Sequence, residues 1–350
     1  MVRMVAHQVP ASPIAVLLNA NARSVNARVT EQLRDVVPAE HLFLSRCAEE
    51  AHRIADTVMH RGYGTVFTGG GDGTFVSWVN HILDRAERQE STPPRFGILP
   101  LGTGNAVAEM VGARRNGLVE DLRRYLRGEV PYCRVLDLLV VEGRRTPFTG
   151  VGVDAAILND YNWLRQRLAG TRLARLATGV RGYCLAIAVR SAPRQIAQGR
   201  PAYCEIVNTG APAWRLDGQG RRVGRLVERG ELLYAGPCML AAAGTVPYYG
   251  FGLKAFPHAL ERPGTMQLRV ASEIGVASLL WNVPRIWKGS FSHPGLLDFQ
   301  VDRVDLSFDR PVPLQVGGDA EGMRDRVTFG MAPRSVEVVD FATGAAPAVA

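Results

Sequence analysis

Lysine is almost missing from this chain, and both cysteine pairs and long apolar runs are absent, which excludes several classes of protein. Lys254 and Lys288 are the only lysines among 41 basic residues. A phosphate-binding loop of the G-x-x-x-x-G-K-[ST] type is therefore excluded, because it requires a lysine in the first domain. The 5 cysteines stand singly. This argues against a zinc site or a disulfide framework and favours a reducing compartment.

The sequence also lacks the features of secretion and membrane insertion. No stretch approaches the ~18 uninterrupted apolar residues that a membrane span needs. Proline and polar residues interrupt the apolar residues near the N-terminus, unlike a secretory signal. We therefore expect a cytoplasmic protein that meets a membrane only from its surface.

The charge points to anionic partners. The net charge is +8 and is carried almost entirely by arginine. An excess of this sign favours phosphates or acidic lipids. Nucleic acid is not expected, because aromatic residues make up only 7% and no RNA-binding signature occurs.

Strand-like and helix-like patterns alternate along the first 130 residues. Apolar runs at 14–18 and 96–99 predict strands, and the apolar repeat over 47–60 predicts an amphipathic helix with Ser45 as its N-cap. Such alternation is typical of a parallel sheet covered by helices on both faces. After residue 133 the pattern changes to strands rich in Gly and Pro, interrupted by one helical stretch at 161–190, and predicts a mostly antiparallel second domain.

Two glycine-rich loops interrupt the first domain at equivalent places. "TGGGDGT" covers 68–74 and "PLGTGN" covers 100–105, and each follows an apolar strand and precedes a helix. In an open parallel sheet, ligands bind beyond the carboxyl ends of the strands. Glycines leave backbone amides uncovered, and helix N-termini add unpaired donors with a partial positive charge. The two loops together predict a cradle for a polyphosphate.

Asp72 lies inside the first loop, where its charge would oppose a phosphate. Such a carboxylate either holds a magnesium ion or takes a proton from an attacking hydroxyl. Both roles belong to phosphoryl transfer. The alternative is an Asx-type turn that closes on its own backbone.

The motifs resemble those of a known family. "FTGGGDGT" followed by "GILPLGTGNAVAEMVG" resembles the diacylglycerol kinase catalytic domain family, which also contains sphingosine and ceramide kinases and bacterial soluble lipid kinases. "LLNANA" is similar to the asparagine-containing nucleotide loop of that family, and "GGDAEGM" is similar to its late acidic motif. The resemblance covers most of the chain.

The resemblance implies an architecture and a reaction. It implies an N-terminal doubly wound α/β domain of the NAD kinase/diacylglycerol kinase type at 10–133, rejoined by 325–345. It also implies a C-terminal, mostly antiparallel β-sandwich at 134–324 and an active site in the cleft between the two. The implied reaction transfers the γ-phosphoryl group of ATP to a lipid hydroxyl, with Mg²⁺ and a diacylglycerol-like acceptor.

The resemblance also implies roles for individual residues. The residues expected to face the nucleotide are Asn19, Thr68, Gly70, Gly71, Gly73, Thr74, Gly102, Thr103 and Asn105. Asp72 is expected to serve the metal or the hydroxyl. Asp319 is expected to be the general base, Glu321 to complete the site, and Asp154 to lie near the lipid head group. The alternative for Asp319 is a structural place in an acidic β-turn, and the alternative for Asp154 is a turn at the end of a strand.

Departures from the family motif leave other functions open. Ser77, Ala106, Arg262 and Pro263 stand where the family often has acidic residues, and Ala320 stands where glycine is usual. These changes put secondary magnesium sites in doubt. The alternatives are a sphingoid-base or ceramide kinase, an NAD kinase, and a non-catalytic nucleotide- or lipid-binding protein.

A lipid kinase needs contact with a bilayer, and two segments are candidates. The helical stretch at 161–190 mixes apolar residues with arginines, as an interfacial helix does. "LLWNVPRIWKGSF" places Trp281 and Trp287 near Arg285 and Lys288. For both segments, ordinary packing or a solvated basic face is the alternative. The expected partner is a lipid at a membrane surface, with peripheral association, and the oligomeric state, a homodimer included, stays open.

Overall fold

The computed structural model describes residues 3–6, 13–22, 24–102, 104–171, 179–191, 200–249 and 252–342. The chain divides into two compact units. The first unit comprises Met1–Asp137 and Pro333–Ala350, and the second comprises Leu138–Ala332. The predicted return to the first domain at residue 325 falls too early, because the strand that contains it runs on to Met331 in the second unit.

The N-terminal part of the first unit alternates strands and helices. Its elements are β1 (Met4–Ala6), β2 (Ile14–Asn19), α1 (Ala27–Arg34), β3 (Leu42–Ser45), α2 (Ala48–His60), β4 (Thr65–Gly70), α3 (Asp72–Arg88), β5 (Arg95–Pro100), α4 (Ala106–Met110), α5 (Leu118–Leu126) and β6 (Tyr132–Leu136).

The second unit consists mainly of strands, and the chain then returns to the first unit. The elements are β7 (Leu139–Val141), β8 (Arg144–Thr146), β9 (Phe148–Gly152), α6 (Val153–Leu168), α7 (Gly179–Ala186), β10 (Ala202–Asn208), β11 (Ala213–Leu216), β12 (Arg222–Val227), β13 (Leu232–Cys238), β14 (Leu240–Gly244), β15 (Met266–Ala271), α8 (Val276–Trp281), α9 (Val283–Trp287), β16 (Leu296–Val301), β17 (Arg303–Val316), β18 (Asp319–Met331) and, in the first unit, β19 (Val336–Val339).

The first unit is built on a sheet of 7 strands in the order β1-β6-β19-β5-β4-β2-β3. The strands from β19 to β3 are parallel, and β6 and β1 are antiparallel to their neighbours. From β2 the chain first moves outward to β3 and then returns past β2 to β4. This reversal makes the boundary between β2 and β4 the switch point, where ligands of doubly wound sheets bind. Right-handed connections place the helices before and after the reversal on opposite faces.

Helix α3 shows why these residues fold as they do. Its buried residues recur at the spacing of one helical face: Phe75, Val76, Trp78, Val79, Ile82, Leu83 and Ala86.

The predicted N-cap of helix α2 is wrong. Ser45 ends β3 and donates to Leu18 O, and Cys47 is the residue before α2. Ser45 is a poor cap because the strand extends through it and pairs its backbone with β2.

The second unit is antiparallel, as the sequence predicts. All strand pairs among its described residues are antiparallel. Strand β17 pairs with β10 through residues 304–308 and with β9 through residues 314–316. On its other edge β17 pairs with β18, and the register of that pairing shifts between Ser307 and Val312. This irregularity bends β17, so that one strand joins two parts of the sheet around the buried core.

The helical stretch of the second unit differs from the prediction at its start. Helix α6 begins at Val153, directly after β9, instead of near Tyr161. Residues 172–178 of the predicted stretch lie outside the described residues. Among the described residues, the helices are all too short or too polar to cross a bilayer.

Candidate active site

The first glycine loop joins β4 to α3 at the switch point of the sheet. Gly71 is the N-cap of α3 and Asp72 is its first residue. Phe75 N–H donates to Gly71 O at 3.0 Å and closes the first turn. The amides of Gly73 and Thr74 lie within that turn, at the positive end of the helix. Neighbouring β2 ends at Asn19, whose Nδ2 donates to Thr74 Oγ1 at 3.1 Å.

The second loop lies directly against the first. Leu101 N and Gly102 N both donate to Gly70 O, at 3.0 and 2.8 Å. A Cβ on Gly102 would lie 2.2 Å from Gly71 Cα and 2.3 Å from Gly71 N, which are backbone atoms. Glycine is therefore required at 102 so that the two loops can touch.

Asp72 ties the two loops together. Its N–H donates to Gly104 O at 3.2 Å. Its carboxylate accepts from Ala106 N at 3.0 Å and from Val107 N at 3.4 Å, at the start of α4. Burial raises the pKa of Asp72 to about 6, and these two amide hydrogen bonds limit the rise. The geometry gives Asp72 a positioning role, while its role as a metal ligand or base stays a prediction.

The three remaining residues that were predicted to contact the nucleotide differ in their surroundings. Thr68 is buried and donates to Gly97 O at 3.3 Å, so its hydroxyl serves the sheet. Asn105 Nδ2 donates to Gly102 O at 3.1 Å, whereas its buried Oδ1 has no hydrogen-bond partner in the described part of the chain. Thr103 lies outside the described residues.

Arg115 is a residue of this site that the motifs did not indicate. Its Nη2 donates to Gly102 O, the carbonyl of the residue that touches the first loop. The side chain is exposed and brings a positive charge to a loop region without lysine. The signal in the sequence is weak, because "GARRNG" reads as an ordinary basic turn.

The first unit fits a nucleotide better than it fits a metal. Amides at a helix N-terminus, two loops held together by glycine and the unpartnered Asn105 Oδ1 are suited to polyphosphate and to its hydroxyls. Across the described ranges, no three residues of the His, Cys, Asp or Glu types gather to hold a metal ion. Magnesium often relies on one or two carboxylates together with substrate phosphates. The described residues thus build no metal cage of their own.

In the second unit, Asp319 and Glu321 lie together on the β17–β18 hairpin. The turn consists of Gly317 and Gly318, both at positive φ, as a two-residue hairpin turn requires. Arg144 on β8 binds both carboxylates: its Nη2 lies 3.1 Å from Asp319 Oδ2, and its Nη1 contacts Glu321 Oε1. Asp319 keeps 55% of its side-chain surface exposed and is accessible to a substrate. That it acts together with the loops of the first unit stays a prediction.

The second unit also contains an apolar cavity with one carboxylate in its wall. The cavity has a volume of about 190 Å³, somewhat more than the roughly 150 Å³ cavity known to admit a benzene molecule. Its lining includes Leu240, Phe256, Ile274, Leu279, Ile286 and Phe291. Asp154, in the first turn of α6, lines the same cavity.

Asp154 belongs to a polar cluster at the edge of this cavity. Its Oδ2 accepts from Tyr249 Oη and, at 3.4 Å, from Gln315 Nε2, and its buried Oδ1 has no partner among the described residues. Burial raises the pKa of Asp154, and the hydrogen bond from Tyr249 opposes the rise. A buried carboxyl oxygen without a partner beside an apolar cavity can accept from a ligand hydroxyl.

Gln315 connects this cluster to the hairpin that carries Asp319. Its Nε2 donates to Tyr249 Oη, and its Oε1 accepts from Gly318 N at 2.9 Å. Gly318 directly precedes Asp319, so the carboxyl in the cavity wall and the hairpin are joined by one side chain. No local sequence pattern indicates Gln315 or Tyr249, because Gln315 acts through its place in β17 and Tyr249 lies in the segment after β14.

Comparisons with known proteins match both units. The family described as "Diacylglycerol kinase catalytic domain" matches residues 13–137. The family described as "YegS C-terminal NAD kinase beta sandwich-like domain" matches residues 202–340. These regions contain the glycine loops and the acidic hairpin, respectively.

Among single relatives, the protein named "Probable lipid kinase YegS" from Escherichia coli O127:H6 (strain E2348/69 / EPEC) is 35% identical over 103 residues. The match covers 29% of this chain and 28% of that protein. A crystal structure of a diacylglycerol kinase from Bacillus anthracis str. Sterne covers 94% of this chain and 97% of its own, with a TM-score of 0.59 and 12% identity. The second likeness concerns the fold alone and agrees with the predicted fold class.

Proposed function

We propose that this chain, which belongs to the diacylglycerol kinase-like family, is a lipid kinase that transfers the γ-phosphoryl group of ATP to the hydroxyl of a diacylglycerol-like acceptor. The family match supports a kinase. The acceptor class, the use of ATP and the residue roles are inferred from the geometry of each unit.

The observation that carries the proposal is the apolar cavity with Asp154 in its wall. A cavity lined mainly by apolar side chains, among them Leu, Ile and Phe, suits an alkyl chain. The hydrogen-bonding cluster of Asp154, Tyr249 and Gln315 at its edge suits a hydroxylated head group. A water-soluble acceptor such as a dinucleotide would gain little from such a lining.

The glycine loops of the first unit are proposed to hold ATP. The amides of Gly73 and Thr74 and the guanidinium of Arg115 can bind phosphate oxygens, while Asn105 Oδ1 can accept from a nucleotide hydroxyl. ATP would supply the phosphoryl group, and a Mg²⁺ ion carried by its phosphates would neutralise their charge.

Asp319 is proposed as the general base. The acceptor hydroxyl gives its proton to the Asp319 carboxylate as its oxygen forms a bond to the γ-phosphorus. The bond between that phosphorus and the β–γ bridging oxygen breaks, and ADP leaves with the electron pair. Arg144 holds the Asp319 carboxylate in place before the transfer.

Asp154 can bind the head group of the acceptor. Its buried Oδ1 has no partner among the described residues and can accept from the free hydroxyl of diacylglycerol. Its Oδ2 is held by Tyr249 and Gln315. We therefore expect a diacylglycerol-like acceptor.

An acceptor panel tests the proposal. The purified chain is incubated with γ-labelled ATP, Mg²⁺ and mixed micelles of diacylglycerol, ceramide or sphingosine, or with soluble NAD. We expect label in a lipid product and a fall of about 10²–10⁴-fold in rate for Asp319→Asn. Asp325→Asn, which changes an exposed aspartate of the same strand, is the matched control and keeps full rate.

Each other outcome identifies another function. Label on NAD and on no lipid would establish an NAD kinase. Binding of ATP without label on any acceptor would make the chain a non-catalytic binding protein. Full activity of Asp319→Asn would remove Asp319 from the mechanism while leaving the lipid kinase in place.

A further inference from the structure

The helix pair α8–α9 forms one wall of the apolar cavity. It connects β15 to β16. Leu279 of α8 and Ile286 of α9 line the cavity, and Phe291 follows from the segment after α9. One side of this pair therefore contacts the space that we assign to the lipid chain.

The same helix pair also exposes large apolar residues. Trp281 is 88% exposed and Val283 is 46% exposed. Trp281 has the largest exposed fraction of any large hydrophobic residue in the described part of the chain. Tryptophan is enriched where a protein meets the interface of a bilayer, because its ring is apolar and its N–H is polar.

The segment that contains these helices has basic residues but no acidic ones. Residues 274–297 include Arg285 and Lys288 and contain neither Asp nor Glu. Lys254, the other lysine of the chain, donates its backbone N–H to Trp287 O at 2.9 Å. Arg285 contacts Asn282 Oδ1 at 3.4 Å, and none of the three cations forms an ion pair with a described residue.

We propose that α8–α9 is the membrane-docking element of this protein and that it binds a bilayer containing anionic lipids. Trp281 and Val283 enter the interface, Lys254, Arg285 and Lys288 bind the acidic head groups, and the cavity behind the helices receives the lipid chain. The identity of the partner rests on the proposed function, since a lipid acceptor resides in a bilayer. The surface itself is argued from exposure and charge.

The other exposed tryptophan is less suited to this task. Trp163 on α6 is 42% exposed, and the guanidinium of Arg190 lies 4.1 Å from the centroid of its ring. That stacking holds Trp163 against the protein. Arg190 is further held by Asp160, with its Nε 2.9 Å from Asp160 Oδ1. Trp163→Ser is therefore a matched control for Trp281→Ser.

Flotation of the full chain with vesicles tests the proposal without any kinase activity. The vesicles contain phosphatidylcholine alone or phosphatidylcholine with phosphatidylserine. We expect Trp281→Ser to lower partitioning about tenfold or more on acidic vesicles and Trp163→Ser to leave it unchanged. Each basic residue contributes about fivefold on an acidic surface. The double variant Arg285→Gln/Lys288→Gln should therefore lose about 25-fold there, and the partitioning that remains should depend less on salt.

The control measurements separate the outcomes. Thermal unfolding should be unchanged in Trp281→Ser and in Arg285→Gln/Lys288→Gln, because these side chains are exposed. Equal partitioning of Trp281→Ser and the unaltered chain would overturn the proposal. So would a shift from dimer to monomer in analytical ultracentrifugation without an effect on vesicles, since the surface would then bind a second copy. Vesicle binding by a chain that phosphorylates no acceptor would overturn the proposed function and leave the docking element intact.

Discussion

Asp72 shows at the scale of one residue how a motif aspartate can serve the architecture of a loop. Its backbone and its carboxylate bind three different residues of the second loop and of α4. Because both loops meet at this side chain, its removal would disturb the phosphate cradle even if it never touches a substrate. A loss of activity in an Asp72 variant is thus no proof of a chemical role.

The raised pKa of Asp72 predicts a specific pH dependence of stability. The pKa is about 6 in the folded chain against 3.8 as the reference value. Between these values the folded state binds more protons than the unfolded state. The free energy of unfolding therefore falls as pH rises through about 6, by up to about 3 kcal/mol from this group. Asp72→Asn lacks this contribution, because asparagine does not titrate.

Urea unfolding of the unaltered chain and of Asp72→Asn from pH 4 to pH 7.5 measures this contribution. We expect the unaltered chain to lose stability relative to the variant as pH rises, with a constant offset above the transition. Parallel curves over the whole range would show that Asp72 titrates near its ordinary value in the fold.

Two adjacent arginines are predicted to differ in role: Arg115 binds ATP, and Arg114 stabilises the fold. Arg115 donates to Gly102 O and is exposed, whereas Arg114 binds the buried carboxylate of Asp121, with Nη2 2.6 Å from Oδ1. Arg115→Gln should raise the Kd for ATP about 10- to 100-fold, as expected for loss of a charge-assisted contact, without changing stability. Arg114→Gln should lower the free energy of unfolding by about 1–3 kcal/mol and leave the Kd unchanged.

Calorimetric titration with ATP and urea unfolding of both variants provide the comparison. The assignment of Arg115 fails if Arg115→Gln binds ATP as the unaltered chain does. A loss of stability in this variant would mean that its bond to Gly102 supports the loop rather than the ligand.

At the scale of elements, Gln315 is predicted to join acceptor binding to the position of the hairpin. Gln315→Leu leaves Gly318 N and Tyr249 Oη without this partner and should cost about 1–3 kcal/mol of stability. It should also raise the KM for the lipid acceptor while the Kd for ATP stays unchanged.

Gln267 provides the control for this prediction. It is also buried and also makes two hydrogen bonds, with His258 N at 2.7 Å and Asp298 Oδ1 at 2.8 Å. Gln267→Leu should therefore lose similar stability without changing the KM. If both variants change the KM equally, the effect of Gln315→Leu comes from general loosening of the sheet.

Some helices and strands could be predicted from local sequence patterns, and others could not. The repeat of buried residues along α3 and the apolar β4 and β5 could be predicted, because their patterns are regular over several residues. The start of α6 could not be predicted. "GVGVDAAI" reads as a strand end, and only Gly152, at φ 97°, turns the chain directly from β9 into the helix.

At the scale of the whole chain, the two glycine loops were predictable and the second unit's site was only partly so. The loops are short and follow strands that neighbour each other in the sheet, so that equivalent positions imply contact. Asp154 follows β9, Tyr249 follows β14 and Gln315 lies in β17, so these distant residues meet only because the three strands are neighbours in the sheet. No local pattern contains that information.

The return of the chain to the first unit makes a last prediction. Strand β19 lies between β6 and β5 in the sheet, and its neighbourhood includes the ion pairs Arg95–Glu337 at 3.0 Å and Arg134–Asp340 at 2.8 Å. A chain that ends after Ala332 lacks this strand, so β5 and β6 lose their shared partner and two arginines lose their carboxylates. We expect the chain truncated after Ala332 to lose the unfolding transition of the first unit and all ATP binding. A chain that ends after Ala342 keeps every described residue of β19 and should unfold and bind ATP as the full chain does. Calorimetry on the two truncated chains decides the matter: ATP binding by the shorter one would mean that the first unit folds without its return strand.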